Sequence, residues 1–472
     1  MNYLVKTLVA VCVLTLTLPL NAQTTFEQVA DELVNKANTM TRFNGTVLVA
    51  DSNSVIYQRS IGFADEEGDI ALTPDHRFAP GSVIKEFTTV ILMQLEAEGK
   101  IRFDDKITQY LSDLPAWAKE ISIEHLLTHT SGLGEMKYIT GMDTSDVLKQ
   151  IKAVPSLKYT PGEGFSYGNF VTVLRALIIE KVSGIDFKSY VEETLFKPSK
   201  MSKAFARDDI QHRTSSMAFG EKPLAIDGVT AYMTAHDLYN WEKALWNSSL
   251  IKRESFMSAV TTPSKGGRGR AYFDFGFYRT DQEGRVTQLW HDGTYPKHFT
   301  LKYHDLERDL FIILLSRDGR KATLGELRQL LSKAYVNSQT KTETLQVLPI
   351  PTAWSLNEQL KLKPYTEVFA ALKAQLKTGE LRSNESELTS MAYSLRRTNV
   401  PAALELMALT VEYFPSANAH DSFVDLLLQF DKYQRAKSVA EKGLILARQE
   451  KNAFVEGRLV QFIDTINKNL VP

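Results

Sequence analysis

Cysteine is nearly absent: the 472-residue chain holds one, Cys12, and it lies inside an apolar N-terminal run. If that leader is removed, no thiol remains, which excludes disulfides, thiolate catalysis and Cys-ligated zinc. An excess of charge of either sign is missing as well. Lys and Arg number 55 against 56 Asp and Glu, for a net charge of -1, so there is no broad electrostatic footprint for DNA, RNA or an anionic membrane. Nucleic acid is not expected as a partner. Long apolar runs are missing after the N-terminus, where no segment approaches the roughly 20 residues that a membrane helix needs, so no integral membrane anchor is expected.

What the N-terminus does contain is one positive charge, Lys6, an apolar run from Leu8 to Leu20, and then Asn21, Ala22 and Gln23. That is the pattern of a secretory signal peptide over residues 1–22, with the mature chain starting near Gln23 in the periplasm or outside the cell. A retained anchor is the alternative, and the run is short for it. At 472 residues with 43% hydrophobic content, the chain is long enough for one large domain and a smaller one.

From Phe43 to Tyr57, Val47 and Val49 alternate with Leu48 and Ala50, Asp51 to Ser54 is turn-prone, and Val55 to Tyr57 resumes the run, which predicts a hairpin. From Ser82 to Lys100 the period becomes helical, with Ile84, Phe87, Val90, Ile91 and Leu95 on one stripe and Gly99 as the stop. Residues from about Ile107 to Leu250 read as helical segments broken by Pro155, Pro161, Gly162, Gly164, Pro198 and Pro223. Four short runs follow, Phe273 to Tyr278, Val286 to Trp290, Phe299 to Tyr303 and Leu310 to Leu315, and they read as antiparallel strands. The expected class is α+β: one antiparallel sheet built from both ends of the domain, flanked by helices, with a helical insertion beside it.

The larger domain is expected over residues 23–340, and a linker with Pro349, Pro351 and Pro364 over 341–385. An all-α tail over 386–472 completes the chain. In that tail Met391, Tyr393, Leu395 and Ala403 are echoed by Val424, Leu426, Leu428 and Ala436, an offset of 33 against the roughly 34 of a tetratricopeptide unit. Such helical repeats offer a surface for a protein partner; an ordinary helical cap on the larger domain is the alternative.

Chemistry concentrates at three places. Ser82 and Lys85 stand one helical turn apart after Pro80 and Gly81, so an amine can take the proton of a hydroxyl that is otherwise a weak nucleophile. A free lysine amine titrates near roughly 10.4, so burial or cationic neighbours must hold it partly neutral. Tyr167 and Asn169 follow the turn residues Pro161, Gly162 and Gly164 and precede an apolar helix. A phenol there can share a proton relay, and an amide can bind a substrate carbonyl. His291, Asp292, Gly293 and Thr294 follow the run Val286 to Trp290. Gly293 allows close approach to the backbone, and the amide of Thr294 can pair with that of Ser82 around an oxyanion. A plain surface turn is the alternative for this segment.

The stretch Phe43 to Leu114 with Ser82, Lys85, Phe87 and Thr88, the segment from Leu126 to Leu133, and the tyrosine and histidine motifs in that order resemble the serine beta-lactamase-like hydrolases. The resemblance is to the branch of class C beta-lactamases, D,D-peptidases and esterases, and covers about residues 30 to 335. It implies a beta-lactamase/transpeptidase-like fold, an acyl-enzyme on Ser82, and proton management by Lys85 and Tyr167. It further implies a substrate site lined by Asn169, His291, Gly293 and Thr294, acting on a small peptide, ester or beta-lactam without a cofactor or metal. His291 in place of a lysine points toward the peptidase and esterase branches, and Tyr295 to His298 lacks the glycines usual after the motif.

Other matches to these patterns carry less weight. Ser249 with Lys252, Ser338 with Lys341, and Tyr335 with Asn337 repeat the spacings in polar surroundings or at a helix end. Lys377, Thr378 and Gly379 match a lysine motif of the family but sit where a helix is expected to stop. His125 and His129 have the spacing of a helical zinc pair, but Leu126 stands where the glutamate belongs. Thr234 reads as a helix cap for Asp237. The leading expectation is an exported serine hydrolase. The alternative is a catalytically decayed domain that presents its helical tail as a scaffold.

Overall fold

The computed structural model describes residues 25–470 except 66–67, 138–142, 207–230, 268, 296–297, 318–320, 341–350, 380–382 and 397. The expected leader with Cys12, and Pro223, Pro296, Lys297, Lys341 and Pro349, lie outside the described residues. Among the described residues there are eight strands: β1 Gly45–Ala50, β2 Val55–Ile61, β3 Phe205–Ala206, β4 Ala231–Tyr232, β5 Phe277–Thr280, β6 Val286–Tyr295, β7 His298–Asp305 and β8 Leu310–Ser316. Six form an antiparallel sheet in the order β2-β1-β8-β7-β6-β5, and β3 pairs separately with β4. The N-terminal hairpin is thus zipped onto the last strand, with Val47 opposite Leu314.

The alternation in β1 and β8 is between two apolar faces. Val47, Val49, Leu310, Ile312 and Leu314 face a core formed with helices Phe26–Thr41 and Lys321–Thr340. Leu48, Ala50, Phe311, Ile313 and Leu315 face a second core formed with helix Lys85–Ala97 and the helical block. A strand buried on both sides has no polar face to show, and each such Leu or Ile contributes roughly 1.5–3 kcal/mol.

The β1–β2 turn closes as expected, with Asp51 Oδ1 accepting from Asn53 N at 2.8 Å and Ser54 N at 2.7 Å. The start of β5 differs from the expected strand. Phe273 to Gly276 forms a bend, and β5 begins only at Phe277. Gly276 takes φ 82, and the Asp274 side chain between two phenylalanines is drawn inward to polar partners. The apolar run is real, but a buried carboxylate and a left-handed glycine interrupt it.

The described part of the expected linker is mostly helix, Thr352–Leu362 and Tyr365–Thr378, with Pro351 and Pro364 at the N-caps. Proline fits a helix start because its missing N–H has no intrahelical acceptor there. Helices Glu385–Leu395, Val400–Tyr413, Ala417–Leu428, Tyr433–Gln449 and Ala453–Leu470 follow and share a core of their own. Trp354 leaves that core and is buried with the helices behind the sheet, its indole donating to Glu326 Oε2 at 2.5 Å. Among the described residues no helix is long and apolar enough to cross a membrane.

Candidate active site

Ser82 sits in a 3-10 turn, Gly81–Ile84, that runs directly into helix Lys85–Ala97. In a 3-10 turn, residues three apart eclipse, which brings Lys85 over Ser82. Lys85 Nζ donates to Ser82 Oγ at 3.3 Å, and the lysine is only 2% exposed. The same Nζ lies 4.9 Å from the centre of the Tyr167 ring. The hydroxyl, amine and phenol therefore share one place, although 85 and 167 are far apart in the chain.

Strand β6 closes the other side. It extends through His291 to Tyr295, so the histidine motif is strand and not a surface turn. Gly81 has φ 57, and a β-carbon there would come within 2.4 Å of Thr294 N. A β-carbon at Gly293 would lie 1.9 Å from Pro80 O and 2.9 Å from Ser82 N. Glycine at both positions allows the backbones to approach this closely, with Thr294 N against Gly81 and Ser82 N against Gly293. Asn169 is the N-cap of helix Phe170–Ser183, two residues beyond Tyr167.

His129 supports Tyr167 from behind, with ring centres 4.4 Å apart. It takes φ 55, and its Nδ1 accepts from Gly168 N at 3.4 Å while its carbonyl accepts from Ser166 N at 2.9 Å. Its Nε2 points at Asp274, 2.8 and 2.9 Å from the two oxygens, and Arg175 reaches the same carboxylate at 2.8 Å. Burial pushes the imidazole below its usual range despite Asp274, and because Nδ1 accepts from Gly168 N, the nitrogen that donates to Asp274 is Nε2. Burial alone would raise the Asp274 carboxyl, but His129 and Arg175 outweigh it and hold it well below the usual range. Arg270 lies 5.5 Å from the Tyr167 ring on another side.

His291 is buried, with Nδ1 2.6 Å from Glu86 Oε1. Lys302, its partner across the β6–β7 ladder, reaches the same oxygen at 2.9 Å, and Trp241 Nε1 donates to Glu86 Oε2 at 2.7 Å. Lys302 also pairs with the buried Glu242. Asp292, next in the strand, points the other way and pairs with Lys321.

The remaining motif matches have ordinary roles. Gly379 caps its helix at φ 72, Thr234 and Asp237 form a capping box, and Ser249 Oγ donates to Ala244 O at 3.2 Å. His125 Nδ1 accepts from Ser122 N in a capping box, so the two histidines at helical spacing have separate polar partners.

Residues 30–334 match the Beta-lactamase family model. The chain belongs to that family. It is similar to penicillin-binding protein 4* of Bacillus subtilis, 26% identical over 313 residues, spanning 58% of this chain and 68% of that one. It is similar to the teichoic acid D-alanine hydrolase of Staphylococcus aureus, 26% identical over 286 residues, 56% of this chain and 68% of that one. The solved penicillin-binding protein of Bacillus halodurans shares the fold with a TM-score of 0.56 at 22% identity, covering 65% of this chain and 98% of that one. As a member of the Beta-lactamase family the chain is a serine hydrolase, and the matched span stops short of the helical tail.

Sequence reasoning missed Glu86, Asp274 and Arg175. Each is a charge set inside an apolar run, and each is now buried: Glu86 in the helix after Lys85, Arg175 in helix Phe170–Ser183, Asp274 between phenylalanines. Such a charge must find a partner, and that was the available signal. Which partner it finds depends on contacts between distant segments.

Proposed function

We propose that this chain is an exported serine hydrolase that transfers an acyl group from an amide or ester to Ser82 Oγ and releases it to water, as a D,D-peptidase or esterase does. The observation that carries the reading is the 3.3 Å contact from buried Lys85 Nζ to Ser82 Oγ beside Tyr167. The amine and phenol move the proton of Ser82 and that of the leaving group. The amides of Ser82 and Thr294 receive the developing oxyanion, and Asn169 and His291 line the substrate. Relatives named as a penicillin-binding protein and as a teichoic acid D-alanine hydrolase support a D-alanyl peptide, a D-alanyl ester or a beta-lactam as the substrate class.

Export rests on the apolar leader over residues 1–22. For the tail we retain a tetratricopeptide-like array that binds a protein partner. Helix starts at 352, 385, 417 and 453, interleaved with 365, 400 and 433, support it by keeping close to the period of that repeat.

The test of the catalytic reading is labelling with a fluorophosphonate or a fluorescent penicillin. The wild-type protein becomes labelled, and Ser82→Ala, folded by circular dichroism, does not. Labelling that persists in Ser82→Ala removes Ser82 as the nucleophile.

A further inference from the structure

We propose that Glu86 is a positioning residue for His291: its carboxylate holds the imidazole as the Nδ1–H tautomer and so presents Nε2 as a hydrogen-bond acceptor to the group bound beside Gly293. The inference rests on the reading above that His291 lines the substrate site.

Three donors converge on one carboxylate. Glu86 is fully buried, and its two oxygens face three side-chain nitrogens: His291 Nδ1 at 2.6 Å, Lys302 Nζ at 2.9 Å and Trp241 Nε1 at 2.7 Å. The lysine ammonium and the indole can only donate, and an ionised carboxylate can only accept. With Lys302 supplying the compensating cation, Nδ1 is the third donor. A neutral imidazole that donates from Nδ1 has a bare Nε2, and that atom has no partner among the described residues. His291 and Gly293 are buried on the same face of β6, and Gly293 abuts the Ser82 turn. The neighbouring charges agree. Burial opposes ionisation of Glu86, but Lys302, His291 and Trp241 outweigh it and lower its pKa, whereas burial raises that of Glu242. Lys302, which also pairs with Glu242, is the cation that faces Glu86.

The test uses the whole protein labelled with 15N-histidine. Long-range proton–nitrogen NMR at about pH 8 reports which ring nitrogen is protonated, and the His291 signal is the one lost in His291→Gln. The expected result is a proton on Nδ1 and none on Nε2. In Glu86→Gln, one amide N–H must oppose one of the three donors. We expect the tautomer to become mixed and kcat on a p-nitrophenyl ester to fall about 10²-fold, with KM within about twofold. A wild-type ring protonated at Nε2, or a folded Glu86→Gln with unchanged tautomer or kcat, overturns the proposal. Should Glu86→Gln not fold, the wild-type spectrum decides alone. Ser82→Ala labelled in parallel separates the two claims. Persistent label sinks the hydrolase reading, whereas lost label with Nε2 protonated sinks only this inference.

Discussion

His129 and Asp274, 145 residues apart, form a buried pair in which Nε2 faces both carboxylate oxygens at 2.8 and 2.9 Å, and the imidazole of that pair is the surface on which Tyr167 rests. The position of the phenol therefore depends on a polar contact that does not touch substrate.

Replacing Asp274 with Ala leaves the wholly buried Arg175 guanidinium without its counter-ion. Breaking a buried pair in this way costs about 3–5 kcal/mol, which urea unfolding will report. His129→Ala keeps the arginine paired but removes the support of Tyr167, and kcat is expected to fall about 10²-fold with KM little changed. Equal activity in His129→Ala would show that the phenol is held by other contacts.

Gly293→Ala tests the meeting of β6 with the serine turn. The added methyl would overlap Pro80 O, 1.9 Å away, and press on Ser82 N. Moving one oxyanion donor costs about 10²–10³ in kcat. Steady-state kinetics should show that loss, and an unimpaired Gly293→Ala would mean that the two amides do not act together.

Acid should destabilise the protein through His304, which is stacked on Phe311 at 3.8 Å. Burial, reinforced by Lys302 and Arg253, lowers its pKa to about 3. A folded pKa below the unfolded value of about 6.5 means that the native state binds fewer protons. The stabilisation is complete above about pH 6.5 and is lost as pH falls toward 3, at most on the order of 4 kcal/mol. His304→Phe should flatten the dependence of Tm on pH in that window, and an unchanged slope would contradict the assignment.

Trp354→Ala tests how the helical tail is held. The side chain is fully buried behind the sheet, and truncating it costs roughly 3–5 kcal/mol. Limited proteolysis should release the tail faster in the variant, with hydrolase activity largely kept. Identical cleavage rates would show that Lys361 and Asn357, which bond to Thr39 and Met40, suffice.

What was legible in the sequence was local. Val47 to Ala50 showed a strand because every position is apolar and β-compatible, and Ser82 with Lys85 showed a site because three residues make one turn. Gly379 was readable as a helix stop for the same reason. Phe273 to Tyr278 misled because its apolar run hides Asp274, whose partners come from 145 and 99 residues upstream. Pro351 and Pro364 suggested a linker, although proline is equally at home at the start of a helix. Glu86 could be noticed as a charge on an apolar helix, but its three partners on β6, β7 and a distant helix are set only by the sheet register.

In the proposed reaction an acyl group is carried by Ser82 Oγ. Intact-mass measurement of the protein trapped with a penicillin or a D-alanyl ester, followed by peptide mapping, addresses it directly. One adduct per chain is expected, on the peptide that contains Ser82, and none in Ser82→Ala. An adduct on another residue, or an equal adduct in Ser82→Ala, would contradict it.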